Sequence, residues 1–254
     1  MTVAIETKAL TRHFSDLCAV DRVDLEVPAG CFYGFLGPNG AGKSTTIKML
    51  TGLLAPTAGT LRVLGLDMTH PGQSLEIKRR IGVVPENLHL FDNLTAREFL
   101  TFIGRMYLLP RDTVRSRCGE LLAMMQLADT DRKLTMEFSQ GMKKKLALAA
   151  ALLPDPELLF LDEPFEGVDA VSSRVLRQVL RRCVERGATI FLTSHILDIV
   201  EKLCTHVGII AKGRLVHQES METLREGGSL EDRFIDLVGR ESAPSEHLSW
   251  LEES

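Results

Sequence analysis

Between Gly37 and Thr45 the chain reads Gly-Pro-Asn-Gly-Ala-Gly-Lys-Ser-Thr, a run of small residues with one lysine and two hydroxyls. It follows the apolar stretch 31–36 and precedes 46–50, so the spacing predicts a tight loop between a strand and a helix. Gly37, Gly40 and Gly42 let such a loop fold around an anion. The amides from Asn39 through Ala41 to Thr45 would then point at phosphate oxygens beside the positive end of the helix. Pro38 has no amide to give. Lys43 can bridge the β- and γ-phosphate oxygens, Ser44 can ligate Mg²⁺, and Thr45 adds a donor toward the α-phosphate.

Two further groups suit the same chemistry. Asp162 directly follows the apolar run 158–161, where a carboxylate can hold Mg²⁺ through its water shell, and Glu163 beside it can polarise an attacking water. His195 closes a second apolar run, 188–193, in position to hydrogen-bond the γ-phosphate and that water. Ser139, Gln140 and Gly141 stand at a predicted helix start, where a hydroxyl and glycine amides make another anion site.

These residues must be held by alternating strands and helices, which predicts an α/β domain with a largely parallel sheet whose carboxyl edges carry the chemistry. Residues 3–27 read as a strand-rich opening that ends in the turn Pro28-Ala29-Gly30, and 60–64 as a further short strand. From 94 to 153 the period becomes helical, with Phe99, Phe102, Ile103 and Met106 on one stripe and Leu121, Leu122 and Met125 on another. Leu230, Phe234, Leu237 and Val238 share one face of a final helix, and 241–254 is expected to be loosely ordered.

The 254 residues, 44% hydrophobic, suffice for a substantial core. No run approaches the roughly 20 apolar residues of a membrane helix, and the first ten residues lack a signal-peptide pattern. Five scattered cysteines without paired spacing argue against a zinc site or disulfide framework and for a reducing compartment. A net charge of −4 gives no footprint for nucleic acid, so none is expected as a partner. The one basic run, Lys143-Lys144-Lys145, reads as a solvated helix face.

Taken together, these motifs resemble the nucleotide-binding subunit of ATP-binding-cassette (ABC) transporters, over residues 3 to about 220. The segment 37–45 is similar to the Walker A motif, 158–163 to Walker B with its catalytic glutamate, and Phe138-Ser139-Gln140-Gly141 to the family signature. Gly167-Val168-Asp169 resembles the D-loop, His195 the switch histidine, and Phe14 falls where the family stacks an aromatic on adenine. The resemblance implies a P-loop NTPase core with an antiparallel β N-terminal subdomain and a helical subdomain inserted at about 87–155. It also implies ATP and Mg²⁺ as ligands, and a head-to-tail pair of cassettes, alike or different, in which Ser139, Gln140, Gly141 and Asp169 act across the interface. An integral-membrane subunit would be the partner, met on the cytoplasmic face: of the apolar set Leu88, Leu90, Phe91, Leu94, Phe99, Phe102 and Tyr107 most members read as core, and the remainder would form the groove that receives it.

The chain departs from the family pattern at two places. Glu86 stands where glutamine is usual, so its service to Mg²⁺ and water rests on a carboxylate instead. Gln140 and Met142 replace the broad consensus in the manner of the two-component exporter branch, which points to export. Soluble members of the family that act in translation or repair are the alternative, but they usually carry two cassettes or long coiled-coil insertions.

Overall fold

The computed structural model describes residues 2–130 and 132–239, so the expectation for 241–254 lies outside the described residues. Two sheets organise it. The first is antiparallel and contains β1 (Val3–Phe14), β2 (Leu17–Pro28), β4 (Ala58–Val63) and β5 (Leu66–Asp67), in the order β2-β1-β4-β5. The second contains β3 (Phe32–Leu36), β6 (Ile81–Val84), β7 (Leu158–Asp162), β8 (Thr189–Ser194), β9 (His206–Ala211) and β10 (Arg214–Ser220), in the order β10-β9-β3-β8-β7-β6. Only β10 runs antiparallel to its neighbour there.

The central strands are apolar throughout because both faces of their sheet are covered. Side chains of alternate parity divide between two cores. Phe32, Leu36, Leu159, Leu161, Ile190 and Leu192 join the core shared with the helices. Tyr33, Phe35, Leu158, Phe160 and Phe191 join the one beneath the antiparallel sheet. Phe191 stacks on Tyr33 there, with ring centroids 5.5 Å apart.

Helix α1 (Lys43–Leu50) follows β3, and α2 (Pro71–Arg80) leads into β6. Next come α3 (Ala96–Met106), α4 (Arg111–Met124) and α5 (Gln140–Leu152), then α6 (Ala170–Glu185), α7 (Leu197–Leu203), α8 (Met221–Glu226) and α9 (Leu230–Val238). Helix α3 begins where Thr95 and Glu98 form a reciprocal capping box, each side chain bonding the other's backbone amide. Its predicted stripe is only partly covered: Phe99 is buried, whereas Phe102 and Met106 are exposed. Helix α9 keeps Leu230 buried and rests Phe234, Leu237 and Val238 against the helical core. Among the described residues no helix is long and apolar enough to cross a membrane. All five cysteines are free thiols.

One expectation is overturned. Lys144 and Lys145 are both buried, with 6% exposure each, and only Lys143 keeps partial access to solvent. The reason is that α5 is enclosed by its neighbours through the whole run Leu146–Ala151, so a basic triplet near its start is carried inward with it.

Candidate functional site

The loop after β3 is shaped by positions where a side chain has no room. A Cβ on Gly37 would collide with the Ile210 carbonyl oxygen, and one on Gly42, at φ +106°, would lie 2.6 Å from the Ala19 carbonyl. Gly42 is the cap of α1 and brings no side chain to its amides, which leaves that helix end open to an anion. Pro38, Asn39 and Gly40 form an exposed lip, while Ala41 is buried and its carbonyl accepts the Gly213 amide (2.9 Å). Ser44 and Thr45 are half-buried on the first turn of α1.

Lys43 is buried, and its ammonium donates to the carbonyls of Gly37 (2.7 Å) and Pro38 (3.3 Å). It also lies 3.6 Å from Oε1 of Glu163. Strands β3, β8 and β7 are adjacent and parallel, so the residues at their carboxyl ends converge on this loop. Thr193 Oγ1 donates to Asp162 Oδ1 (2.5 Å) and accepts the Glu163 amide (3.1 Å). Ser44 Oγ reaches the same Asp162 oxygen at 3.4 Å.

Glu163 has a left-handed backbone, φ +46°, a conformation that costs a non-glycine residue of order 1–3 kcal/mol. That turn swings its carboxylate back over the phosphate loop. Oε2 pairs with Nδ1 of His195 at 3.1 Å, while Oε1 is buried without a hydrogen-bond partner among the described residues. A buried oxygen of this kind is an acceptor ready for a donor such as water. Half-exposed His195 covers the carboxylate from the solvent side.

The donors here suit a small hard cation. Ser44 Oγ and Asp162 Oδ1 are neighbouring oxygens of the kind Mg²⁺ takes, with its remaining ligands drawn from phosphate and water. Among the described residues there is no cluster of three His, Cys, Asp or Glu that would cage a metal by protein alone. Glu86 is exposed two residues beyond β6, which pairs with β7 in parallel, so it stands at the same edge of the sheet.

The signature segment stands apart from this cluster. Ser139 caps α5, its hydroxyl accepting the Met142 amide at 3.3 Å, and both Ser139 and Gln140 are exposed. No hydrogen bond joins Ser139 or Gly141 to the phosphate loop among the described residues. Gly141 instead lies against the start of α6, where a Cβ would fall 2.6 Å from Ser172 Oγ and 2.7 Å from Asp169 Oδ2. Asp169 caps α6 through the amides of Val171 (3.0 Å) and Ser172 (2.9 Å). Those bonds, the one from Ser172 foremost, hold its carboxyl below the usual aspartate range. Phe14 is 43% exposed, with the Arg12 guanidinium 4.6 Å above its ring centre.

Two residues in this neighbourhood escape a reading of the sequence. Thr193 joins Asp162 to Glu163, and only its place at the end of an apolar run hints at that. Lys144 sends its ammonium to the Glu163 carbonyl, behind a lysine triplet that suggests solvent.

A family model described as ABC transporter matches residues 20–166, a span that includes the phosphate loop, the signature and the Asp162–Glu163 pair. An AAA-domain model also matches 132–201. The chain is 39% identical to the daunorubicin/doxorubicin resistance ATP-binding protein DrrA of Streptomyces peucetius, over 88% of this chain and 67% of that one. It is also 39% identical to the bacitracin transport ATP-binding protein BcrA of Bacillus licheniformis, over 89% and 72% respectively. Among solved structures, an ATP-binding subunit of an ABC transporter superposes with a TM-score of 0.85 at 29% identity, over 93% of this chain and 99% of that one. A bacterial ABC transporter cassette solved as a dimer shares the fold at a TM-score of 0.79 and 23% identity, over 85% and 98%. With a matched motif set, a matched fold and relatives aligned over most of their length, the chain belongs to the ABC transporter family as an ATP-hydrolysing cassette.

Proposed function

We propose that this chain is the motor of an exporter, hydrolysing ATP on the cytoplasmic face of a membrane and driving a separate membrane-spanning subunit. The convergence of Lys43, Ser44, Asp162, Glu163 and His195 on one loop is the observation that carries the reading. In it, the amides of Asn39 to Thr45 cradle the phosphates and Lys43 leaves the Gly37 and Pro38 carbonyls to bind β- and γ-oxygens. Phe14 offers its ring to the adenine.

Mg²⁺, bound by Ser44 and by Asp162 through water, with Glu86 as a further oxygen donor, would neutralise phosphate charge during the transfer. Glu163 Oε1 accepts a proton from the attacking water as its oxygen bonds to the γ-phosphorus, and the bond to the β-phosphate oxygen breaks to leave ADP. His195 keeps Oε2 occupied, so that Oε1 is the acceptor turned to the water. Since Ser139 and Gly141 do not reach this loop in their own chain, a second cassette, identical or not, supports a complete site, with Ser139, Gln140, Gly141 and Asp169 facing the partner's γ-phosphate.

Residues 3–220 act as the cassette in this reading, and the block 87–155 transmits its movement. Phe91 and Phe102 are exposed and meet edge to face at 5.1 Å, an apolar surface suited to a short helix of the membrane subunit. Export follows from the two relatives named for drug resistance and bacitracin transport. The test is to purify the tagged chain from detergent-solubilised native membranes and identify what accompanies it. A polytopic membrane protein is expected; recovery only from the soluble fraction, with ribosomal or nucleic-acid partners, would overturn the reading.

A further inference from the structure

Lys144 is the one member of its triplet that points at the reaction centre, and the physical question is why a lysine is there. It lines a small cavity together with Val84, Leu148, Leu161, Pro164, Leu176 and Leu180, a setting that is otherwise apolar. Burying an ammonium costs several kcal/mol unless it is well partnered. The partners are two backbone carbonyls from different elements: that of Glu163 after β7, at 3.0 Å, and that of Glu86 after β6, at 3.4 Å. The Glu163 carbonyl also accepts the Glu166 amide, at 3.3 Å. Burial pulls the Lys144 pKa down, while the carboxylates of Glu166, Glu86, Asp162 and Glu163 push it back toward the charged form.

Three features make this contact more than an anchor. It falls on the residue whose backbone is in the left-handed region, where the direction of the carboxylate depends on how the peptide is held. It includes the loop of Glu86, one of the two places at which this chain departs from the family pattern. And it arises from α5, the helix that Ser139 opens, with Lys144 about 7.5 Å along the axis from that cap at 1.5 Å per residue.

We propose that Lys144 is a positioning residue for Glu163, tying the signature helix to the turn that aims the catalytic carboxylate and to the Glu86 loop. This rests on the role given to Glu163 above. A shift of α5 then moves the Glu163 carbonyl directly, without passing through the nucleotide.

The test is steady-state ATP hydrolysis by the full chain, with nucleotide affinity followed separately by titration with a fluorescent ATP analogue. Lys144→Met keeps length and packing but removes the charge and the donors. Its kcat should fall between about tenfold and a hundredfold, the scale of a misplaced catalytic group, with KM and analogue affinity held within about twofold. Lys144→Arg should recover most of the loss, and Lys143→Met should lose nothing. A folded Lys144→Met with wild-type kcat, or an Arg variant as slow as the Met variant, overturns the proposal. If Lys144→Met does not fold, Lys144→Gln is used: too short to span both carbonyls, it should lose kcat at constant KM, and wild-type kcat there is equally fatal. Glu163→Gln is measured alongside. Turnover surviving in Glu163→Gln defeats the role of Glu163 itself, whereas an inactive Glu163→Gln beside a fully active Lys144→Met defeats Lys144 alone.

Discussion

Glu163 has one carboxylate oxygen tied to His195 and the other buried beside the Lys43 ammonium, 3.6 Å away, with no hydrogen-bond partner among the described residues, an asymmetry that sets what its replacement does. An amide in its place keeps the volume but cannot take a proton from water, whereas the loop that binds phosphate is untouched. Glu163→Gln should therefore reduce ATP turnover by 10²-fold or more, in the range of about 10² to 10⁴ for a general base, while a fluorescent nucleotide still binds with wild-type affinity. Side chains of this kind were legible in the sequence because their chemistry is written in their types: a lysine and two hydroxyls among glycines, and an acidic pair behind an apolar run. Thr193 was not, since a threonine ending a strand is ordinary until Asp162 is seen 2.5 Å from its hydroxyl. Nor was Lys144, whose direction depends on which side of α5 is enclosed.

Helices α5 and α6 meet at Gly141, where the absence of a side chain lets Ser172 and Asp169 come close. An added methyl would sit under 3 Å from both, and the two helix starts would have to separate. Gly141→Ala should cost about 1–3 kcal/mol, as overpacking does, and lower turnover as the signature shifts. A urea midpoint measured with the ATPase rate checks both. At this scale the strands around the site follow from sequence with small errors of boundary. The apolar runs 158–161 and 188–193 become β7, one residue longer, and β8, shifted by one residue, because a strand covered on both faces needs only to be apolar. The stretch 87–94 contains no helix, although its leucines and Phe91 suggest apolar packing; regular structure waits for the capping box at Thr95. Phe91 serves instead as a ring set against Phe99 and Phe102. Strand β1 lies within the opening 3–27 that reads as strand-rich, but its full extent was not legible, because the register shifts near Ala9, at φ +48°, break the alternation along it.

Across the whole molecule, the exposed aromatic surface and the ionisable groups of the interior make separate predictions. Phe91→Asp should leave nucleotide binding and basal hydrolysis unchanged while abolishing stimulation by the membrane subunit, which reconstitution with that subunit would reveal; undiminished stimulation would point to another surface. Burial pushes the Cys31 thiol up to about 12 and takes Cys204 and Tyr33 well above their ordinary values. All three stay neutral in the fold, whereas the unfolded chain ionises its thiols near about pH 8.5 and its phenols near about 10. The contribution of these three groups to stability is therefore complete below about pH 8 and declines as pH rises from there toward 12, because the unfolded state alone sheds protons. Urea titrations at about pH 8 and about pH 10 should show the decline, and Cys31→Ala should make it shallower. The sheet order has a further bearing, on the birth of the protein. Strand β3 takes its neighbours β8 and β9 from far along the chain, so the phosphate loop emerges from the ribosome 150 residues before His195. A nascent or truncated chain ending before β8 has the loop but neither Thr193 nor His195 to set Glu163 in place, and long-range parallel pairing of this kind is slow to form. Hydrolysis is thus expected to begin only after β8 has been translated, and fragments that end before it should consume no ATP.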